Sequence, residues 1–303
     1  MNRIKVISES GFSPSTLNTY KECSLKFYFQ RVLEMYTEKE VEETIAANTQ
    51  GTVIHGVLEA FYKPLVNKVI TKDFLDNMAV EFPEKLKELF KKEFGKGDID
   101  HGQNLLMHEV AKRFIEYFIE SERRLIEQGE VCTFLVSEDE LKRSLDIDLD
   151  GAKYRINIKG KADRIDRLGN TVRIIDYKTG NVKDNDVKLF SSGNDLWGSM
   201  FEGDKGKAFQ LMLYAWLYKP NVDAAFNLET GISALKYRSK FMPLVFNKNN
   251  ETNVDDEHMK RFEKDLKVLI EQIFDTTTDF TQCEDKKACV YCDYKFICGR
   301  WEE

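Results

Sequence analysis

The chain contains no run of about 18 consecutive apolar residues, so no helical membrane span is expected. Its first residues, Met-Asn-Arg-Ile-Lys-Val, lack the apolar centre of a secretory signal peptide. There is no excess of positive charge: the formal net charge is −7. That argues against binding nucleic acid through bulk charge, but it leaves room for a local basic groove or for metals, because net charge describes the whole surface. No internal repeat or low-complexity tract is visible. These absences set the expectation of a soluble, cytoplasmic protein.

With 303 residues, 42% of them hydrophobic, the chain can bury a sizeable core. In residues 10–34, Ser13 is placed to cap a helix with Pro14 at its first position. The aromatic segment that follows, around Tyr20, Phe27, Tyr28 and Phe29, reads as core. A polar loop over 35–48 precedes a helix starting between Gly51 and Tyr62, with His55, Glu59 and Tyr62 on one stripe. Two amphipathic helices follow, near 76–95 and 104–128, joined by Gly95-Lys96-Gly97-Asp98. From Val131 the pattern becomes strand-like: Cys132 to Glu138, Leu145 to Gly151 with a turn at Asp150-Gly151, and Tyr154 to Lys161. Including the hairpin described next, this predicts a mixed or antiparallel sheet of four or five strands. Residues 181–207 form a long connection carrying Lys183, Lys188, Lys205 and Lys207, read chiefly as solvated charge. A strongly apolar helix over 207–218 places Gln210 and Tyr214 one turn apart. Strands over 230–247 and a helix over 255–274 complete the pattern, an α/β core with helical flanks.

The chain is organised around Gly160-Lys161-Ala162-Asp163-Arg164-Ile165-Asp166-Arg167 and Thr171-Val172-Arg173-Ile174-Ile175-Asp176-Tyr177-Lys178. Gly169-Asn170 between them suits a two-residue hairpin turn. A tight turn there pairs Leu168 with Thr171, sets Asp163 opposite Asp176 and sets Lys161 opposite Lys178. Strand periodicity puts Asp176 and Lys178 on one face. Two carboxylates about 5 Å apart repel by roughly 3 kcal/mol at an effective dielectric near 20. Such a pair calls for a cation between the acids, a shared proton, or a solvated face where Arg164, Arg167 and Arg173 hold the acids apart.

The six cysteines lack a secretion signal and therefore point to metal or redox use rather than to disulfides. Cys289-Val-Tyr-Cys292 and Cys298 have metal-ligand spacing. A fourth ligand is open among Cys283, Cys23 and Cys132, and spacing does not choose between zinc and iron–sulfur. Cys132 reads as a small buried hydrophobe. Using Cys23 would close a flexible loop across most of the chain at a cost of about 5 kcal/mol.

Taken in order, Ser-Pro-Ser-x-Leu-x-x-Tyr-x-x-Cys23, Gly-x-x-x-His55, Gly-Lys-Ala-Asp163-Arg-Ile-Asp, Ile-Asp176-Tyr-Lys178-Thr-Gly, Gln210-x-x-x-Tyr214 and Cys289-x₂-Cys292-x₅-Cys298 resemble the RecB-like branch of the PD-(D/E)XK nuclease superfamily. Within it the match is to the iron–sulfur nucleases: the C-terminal nuclease domain of AddB-type helicase–nuclease subunits and the CRISPR-associated four-cysteine exonucleases. The family's Pro-Asp is Ala162-Asp163 here. The resemblance implies a restriction-endonuclease-like mixed sheet flanked by helices, with a helical N-terminal region and a cysteine cluster tying the termini together. It implies one nuclease domain over 1–303: a mainly helical part (1–130), the core sheet with the Gln-x-x-x-Tyr helix (131–250), and a helix with the iron–sulfur segment (251–303).

By the same resemblance His55, Asp163, Asp176 and the backbone carbonyl of Tyr177 are ligands of Mg²⁺ or Mn²⁺. Lys178 serves the attacking water or the pentacovalent phosphate. Gln210 and Tyr214 sit beside the active site and contact DNA or support the lysine. Cys23, Cys289, Cys292 and Cys298 hold a [4Fe–4S] cluster, leaving Cys283 and Cys132 as spectators. The expected activity is a metal-dependent DNA exonuclease acting on single-stranded ends in recombinational repair. A helicase is expected as partner subunit or fused region, the chain being a stand-alone nuclease or the end of a larger protein. The rival expectations are a catalytically silent iron–sulfur DNA-docking module and a zinc-stapled interaction domain.

Overall fold

Side-chain alternation along two strands decides how the layers of this protein are assembled. The computed structural model describes residues 2–36, 44–94, 99–137, 140–149, 151–191 and 193–300. Part of the expected loop over 35–48, the Gly95–Asp98 connection, Glu138 and Asp150 lie outside the described residues. The helices are α1 (Asn2–Ser10), α2 (Pro14–Glu22), α3 (Ser24–Phe27), α4 (Ala47–Tyr62), α5 (Lys72–Glu93), α6 (Gly102–Glu127), α7 (Gly206–Tyr218) and α8 (Asp256–Phe274). The strands are β1 (Lys68–Val69), β2 (Cys132–Ser137), β3 (Glu140–Leu149), β4 (Ala152–Lys161), β5 (Arg164–Leu168) and β6 (Thr171–Lys178). They continue with β7 (Phe190–Ser191), β8 (Asn194–Asp195), β9 (Asn227–Ala234) and β10 (Lys240–Pro243).

The principal sheet has the order β1-β2-β5-β6-β9-β10. Only its β6–β9 pair is parallel, with Thr171 beside Asn227 and Lys178 beside Ala234. The sheet is thus mixed and flanked by helices, the restriction-endonuclease-like arrangement. Its six strands are β2, β5 and β6 of the expected sheet, β9 and β10 from the strands expected over 230–247, and the short β1, which the pattern did not show. The β3–β4 hairpin, conversely, stands apart as its own two-stranded sheet.

The tight turn forms where expected. Leu168 pairs with Thr171 and Arg164 with Ile175, and Gly169 takes φ +56°, the left-handed region that glycine enters without a steric penalty. Lys161, however, does not face Lys178. It ends β4, opposite Glu140, because the chain changes sheets across Ala162-Asp163.

Along β6, Val172 and Ile174 join one core, with β3, β4, α7 and α8. Ile175 and Tyr177 join the other, with α4, α5 and α6. Each successive residue therefore enters the opposite layer, the period of a strand buried on both faces. Helix starts follow their capping residues: Ser13 Oγ accepts from Thr16 N at 3.2 Å, Thr71 Oγ1 from Phe74 N at 3.2 Å, and Asp255 Oδ1 from His258 N at 2.9 Å.

The 181–207 connection is fastened down. Trp197 and Met200 are buried, and Trp197 Nε1 donates to Asp265 Oδ2 of α8 at 2.8 Å. Two of its lysines are not solvated charge. Lys205 is buried and donates to the Asn185 carbonyl, and Lys207 pairs with Asp186 at 2.9 Å. Of the early aromatics expected in the core, Phe27 is buried there and Tyr20 packs against it, while Tyr28 and Phe29 are half-buried; Phe280 stacks on Phe27 and Tyr28 with centroids 6.0 and 5.2 Å away. With Leu25 N donating to Thr281 O at 3.0 Å, these rings join the first helices to the C-terminal segment. No helix among the described residues is long and apolar enough to cross a membrane.

Candidate active site

The ladder between β5 and β6 ends at Arg164, so Asp163 lies just beyond it and is not paired directly with Asp176. Its carboxylate replaces the next rung: Oδ2 accepts from the Tyr177 amide at 2.6 Å. Helix α4 brings His55 to the same point, with Nδ1 3.3 Å from Asp163 Oδ1 and Nε2 3.1 Å from the Tyr177 carbonyl oxygen. Each ring nitrogen therefore has an oxygen of this strand end as its neighbour.

Asp176 is buried, with Lys178 Nζ 2.5 Å from Oδ2. Gln210 of α7 donates through Nε2 to Asp176 Oδ1 at 3.0 Å and to the Tyr214 hydroxyl at 2.8 Å. Burial pushes the Asp176 carboxyl up to about 6. Lys178 opposes the rise, Asp163 adds to it, and His55 opposes it. Desolvation disfavours the charged form more strongly than one half-exposed lysine favours it.

Gly160 explains how α7 comes so near. A Cβ there would stand 2.8 Å from Tyr214 Cε1 and 2.9 Å from Leu217 Cδ1, closer than carbon atoms pack. A groove of about 680 Å³ opens beside His55, lined among others by Gly51, Lys85, Lys92, Lys161 and Thr179.

Among the described residues, no three His, Cys, Asp or Glu side chains are grouped so as to hold a metal ion. Asp163 and Asp176 instead engage the Tyr177 amide, His55, Lys178 and Gln210. The donor types nevertheless suit a hard divalent cation, namely two carboxylates, a carbonyl and an imidazole. A positive charge would also relieve the raised, buried Asp176 carboxyl.

Five thiols line a second pocket: Cys23, Cys283, Cys289, Cys292 and Cys298. Cys23, which spacing alone did not favour, is drawn in because it caps α3, its Sγ accepting from Lys26 N at 3.4 Å. Cys283, expected to be a spectator, also lies inside, with Sγ 3.7 Å from Cys289 Sγ. Burial and then the Cys289 contact push its thiol up to about 12. Burial also raises the Cys298 thiol, with Cys23, Cys292 and Cys289 adding to the effect. The all-sulfur donor set suits a soft metal centre.

Cys132 is buried away from this group. Its Sγ accepts from Arg164 Nη2 at 3.4 Å within an ion cluster that the sequence reading missed. Arg164 and Arg173, which one of the alternative readings put on a solvated face, are buried. Arg164 bonds Asp166 at 2.6 Å and Glu122 at 3.0 Å, and Arg173 bonds Asp166 at 2.8 Å. The signal was the alternation itself: Arg164 and Asp166 are two apart, on the face opposite Ile165.

A model of the PD-(D/E)XK nuclease superfamily matches residues 11–299. The chain belongs to this superfamily. No curated protein matches it significantly. Among solved structures it is similar to a Eubacterium rectale protein provisionally named an exonuclease, at 11% identity and TM-score 0.45, covering 92% of this chain and 86% of that one. It is also similar to SSO0001, at 16% identity and TM-score 0.27, covering 91% and 94%.

Proposed function

We propose that this protein is a divalent-metal-dependent DNA exonuclease of the RecB-like branch, acting on single-stranded ends. The observation that carries the reading is the convergence of Asp163, Asp176, Lys178, His55 and Gln210 where β5 gives way to the end of β6. His55, Asp163, Asp176 and the Tyr177 carbonyl would hold Mg²⁺ or Mn²⁺, the imidazole shifting preference towards Mn²⁺. Such an ion, when bound, supplies Lewis-acid polarisation of the phosphate and a more acidic water.

The chain's own residues supply the rest. Lys178, kept beside the carboxylate two positions earlier, offers a positive charge to the negative charge that develops on the phosphate. Gln210 fixes one Asp176 oxygen and leaves the other to Lys178. The groove beside His55, where Lys63, Lys85, Lys92 and Lys161 outnumber Glu59 and Glu93, offers local positive charge to a phosphate backbone, despite the acidic chain.

Cys23, Cys289, Cys292 and Cys298 would hold a [4Fe–4S] cluster that fastens the C-terminal segment to α2 and α3. The six ordered motifs support this branch, and with it recombinational end processing alongside a helicase and a cytoplasmic location.

The test is incubation of purified protein with end-labelled single- and double-stranded DNA in Mn²⁺ or Mg²⁺. Mononucleotide release from single strands by the wild type and its loss in Asp176→Ala are expected. Intact DNA in both metals would overturn the proposal, and DNA binding without cleavage would favour the docking-module alternative.

A further inference from the structure

On the sheet face opposite Asp176 lies a cavity of about 460 Å³ between the second half of α6 and the turn from β9 to β10. Five cations line it: Arg124, Arg164, Arg173, Arg238 and Lys240. The carboxylates that pair with them are Glu120, Glu122 and Asp166. The cavity therefore keeps a net positive charge of two units, in a chain whose total is −7. Arg124 and Lys240, both exposed, supply that excess.

The remaining wall is aromatic, with Phe118, Tyr237 and Phe241. Unpaired cations suit a phosphate, and an aromatic wall suits a planar base. The volume fits a small ligand rather than a strand.

We propose that this cavity binds a free nucleoside monophosphate, its phosphate at Lys240 and Arg124 and its base against the aromatic wall. Tyr177 connects the cavity to the catalytic strand: its side chain lines the cavity, while its amide donates to Asp163. Binding itself does not depend on the nuclease reading.

The test is calorimetric titration of the full-length protein with dTMP in the absence of divalent metal. Thymidine and inorganic phosphate serve as partial ligands. Saturable dTMP binding is expected, with each partial ligand weaker by about tenfold or more, since a hydrogen bond to a charged group is worth ~1.5–3 kcal/mol. Arg124→Glu with Lys240→Glu should abolish binding while the circular dichroism spectrum is kept. Lys178→Ala should leave binding unchanged, placing it away from the active site. No saturable binding, equal binding of thymidine, or full binding by the double variant would overturn the proposal.

Discussion

Gln210 Nε2 donates at once to Asp176 Oδ1, at 3.0 Å, and to the Tyr214 hydroxyl, at 2.8 Å. One amide group thereby ties a buried carboxylate on β6 to a helix on the other side of the core. Its effect is positional: with one oxygen of Asp176 held by Gln210, the other is turned to Lys178.

Gln210→Ala should therefore lower the cleavage rate without unfolding the protein. A hydrogen bond to a charged group is worth ~1.5–3 kcal/mol, so a fall of roughly 10- to 100-fold in kcat is expected. Steady-state kinetics would check it; a change confined to KM would point instead to a DNA contact.

Gly160→Ala should be costly for its size. The added methyl meets Tyr214 and Leu217 under 3.0 Å, so α7 must move away from β4. Overpacking of this kind typically costs about 1–3 kcal/mol. Urea unfolding should show that loss, and cleavage should fall with it because Tyr214 and Gln210 ride on the displaced helix.

Asp166→Asn should be strongly destabilising at neutral pH, by about 3–5 kcal/mol, since it leaves Arg173 buried without its anion and Arg164 with Glu122 alone. The pH dependence has a definite sign. Burial opposes ionisation of Asp166, yet Arg164 and Arg173 prevail and hold its carboxyl below the ordinary 3.8. A depressed folded-state value stabilises above the unfolded value and is lost as pH falls through the folded one. The stability gap between wild type and Asp166→Asn should be full at neutral pH and close below about pH 4. A series of denaturant titrations would measure it; a gap that widened in acid would contradict the assignment.

Cys23→Ser and Cys298→Ser should each remove the brown colour of an iron–sulfur centre and lower the melting temperature, because both ends of the chain meet at that pocket. Cys283→Ser should keep the colour if the four other thiols are the ligands. Visible absorption and iron analysis of the purified variants decide it; a colourless Cys283→Ser would make Cys283 a ligand. Cys132 should resist alkylation in the folded protein, since burial pushes its thiol up to about 12.

Much of this was legible along the chain because it depends on near neighbours. The Gly169-Asn170 turn, the capped start at Ser13, the period of β6 and the adjacency of Asp176 and Lys178 are local facts of backbone sterics and strand alternation. The six ordered motifs likewise give the superfamily. Other features were legible only as residue types. Arg164 and Arg173 looked like surface charge, because charge is usually solvated, and nothing near them in sequence reveals that Glu122 arrives from α6 to pair with Arg164.

The sequence by itself determined the hairpin, the helical flanks and which side chains are candidates for the site, since propensity, turn sterics and spacing act over a few residues. Only the tertiary structure decided that the chain changes sheets at Ala162-Asp163, that Asp163 caps Tyr177 instead of pairing with Asp176, and that Cys283 joins the other four thiols. Those outcomes depend on which distant elements pack together, through α7 closing on Gly160, α4 delivering His55, and Phe280 docking on Phe27. They are set by the burial of whole faces rather than by any local preference.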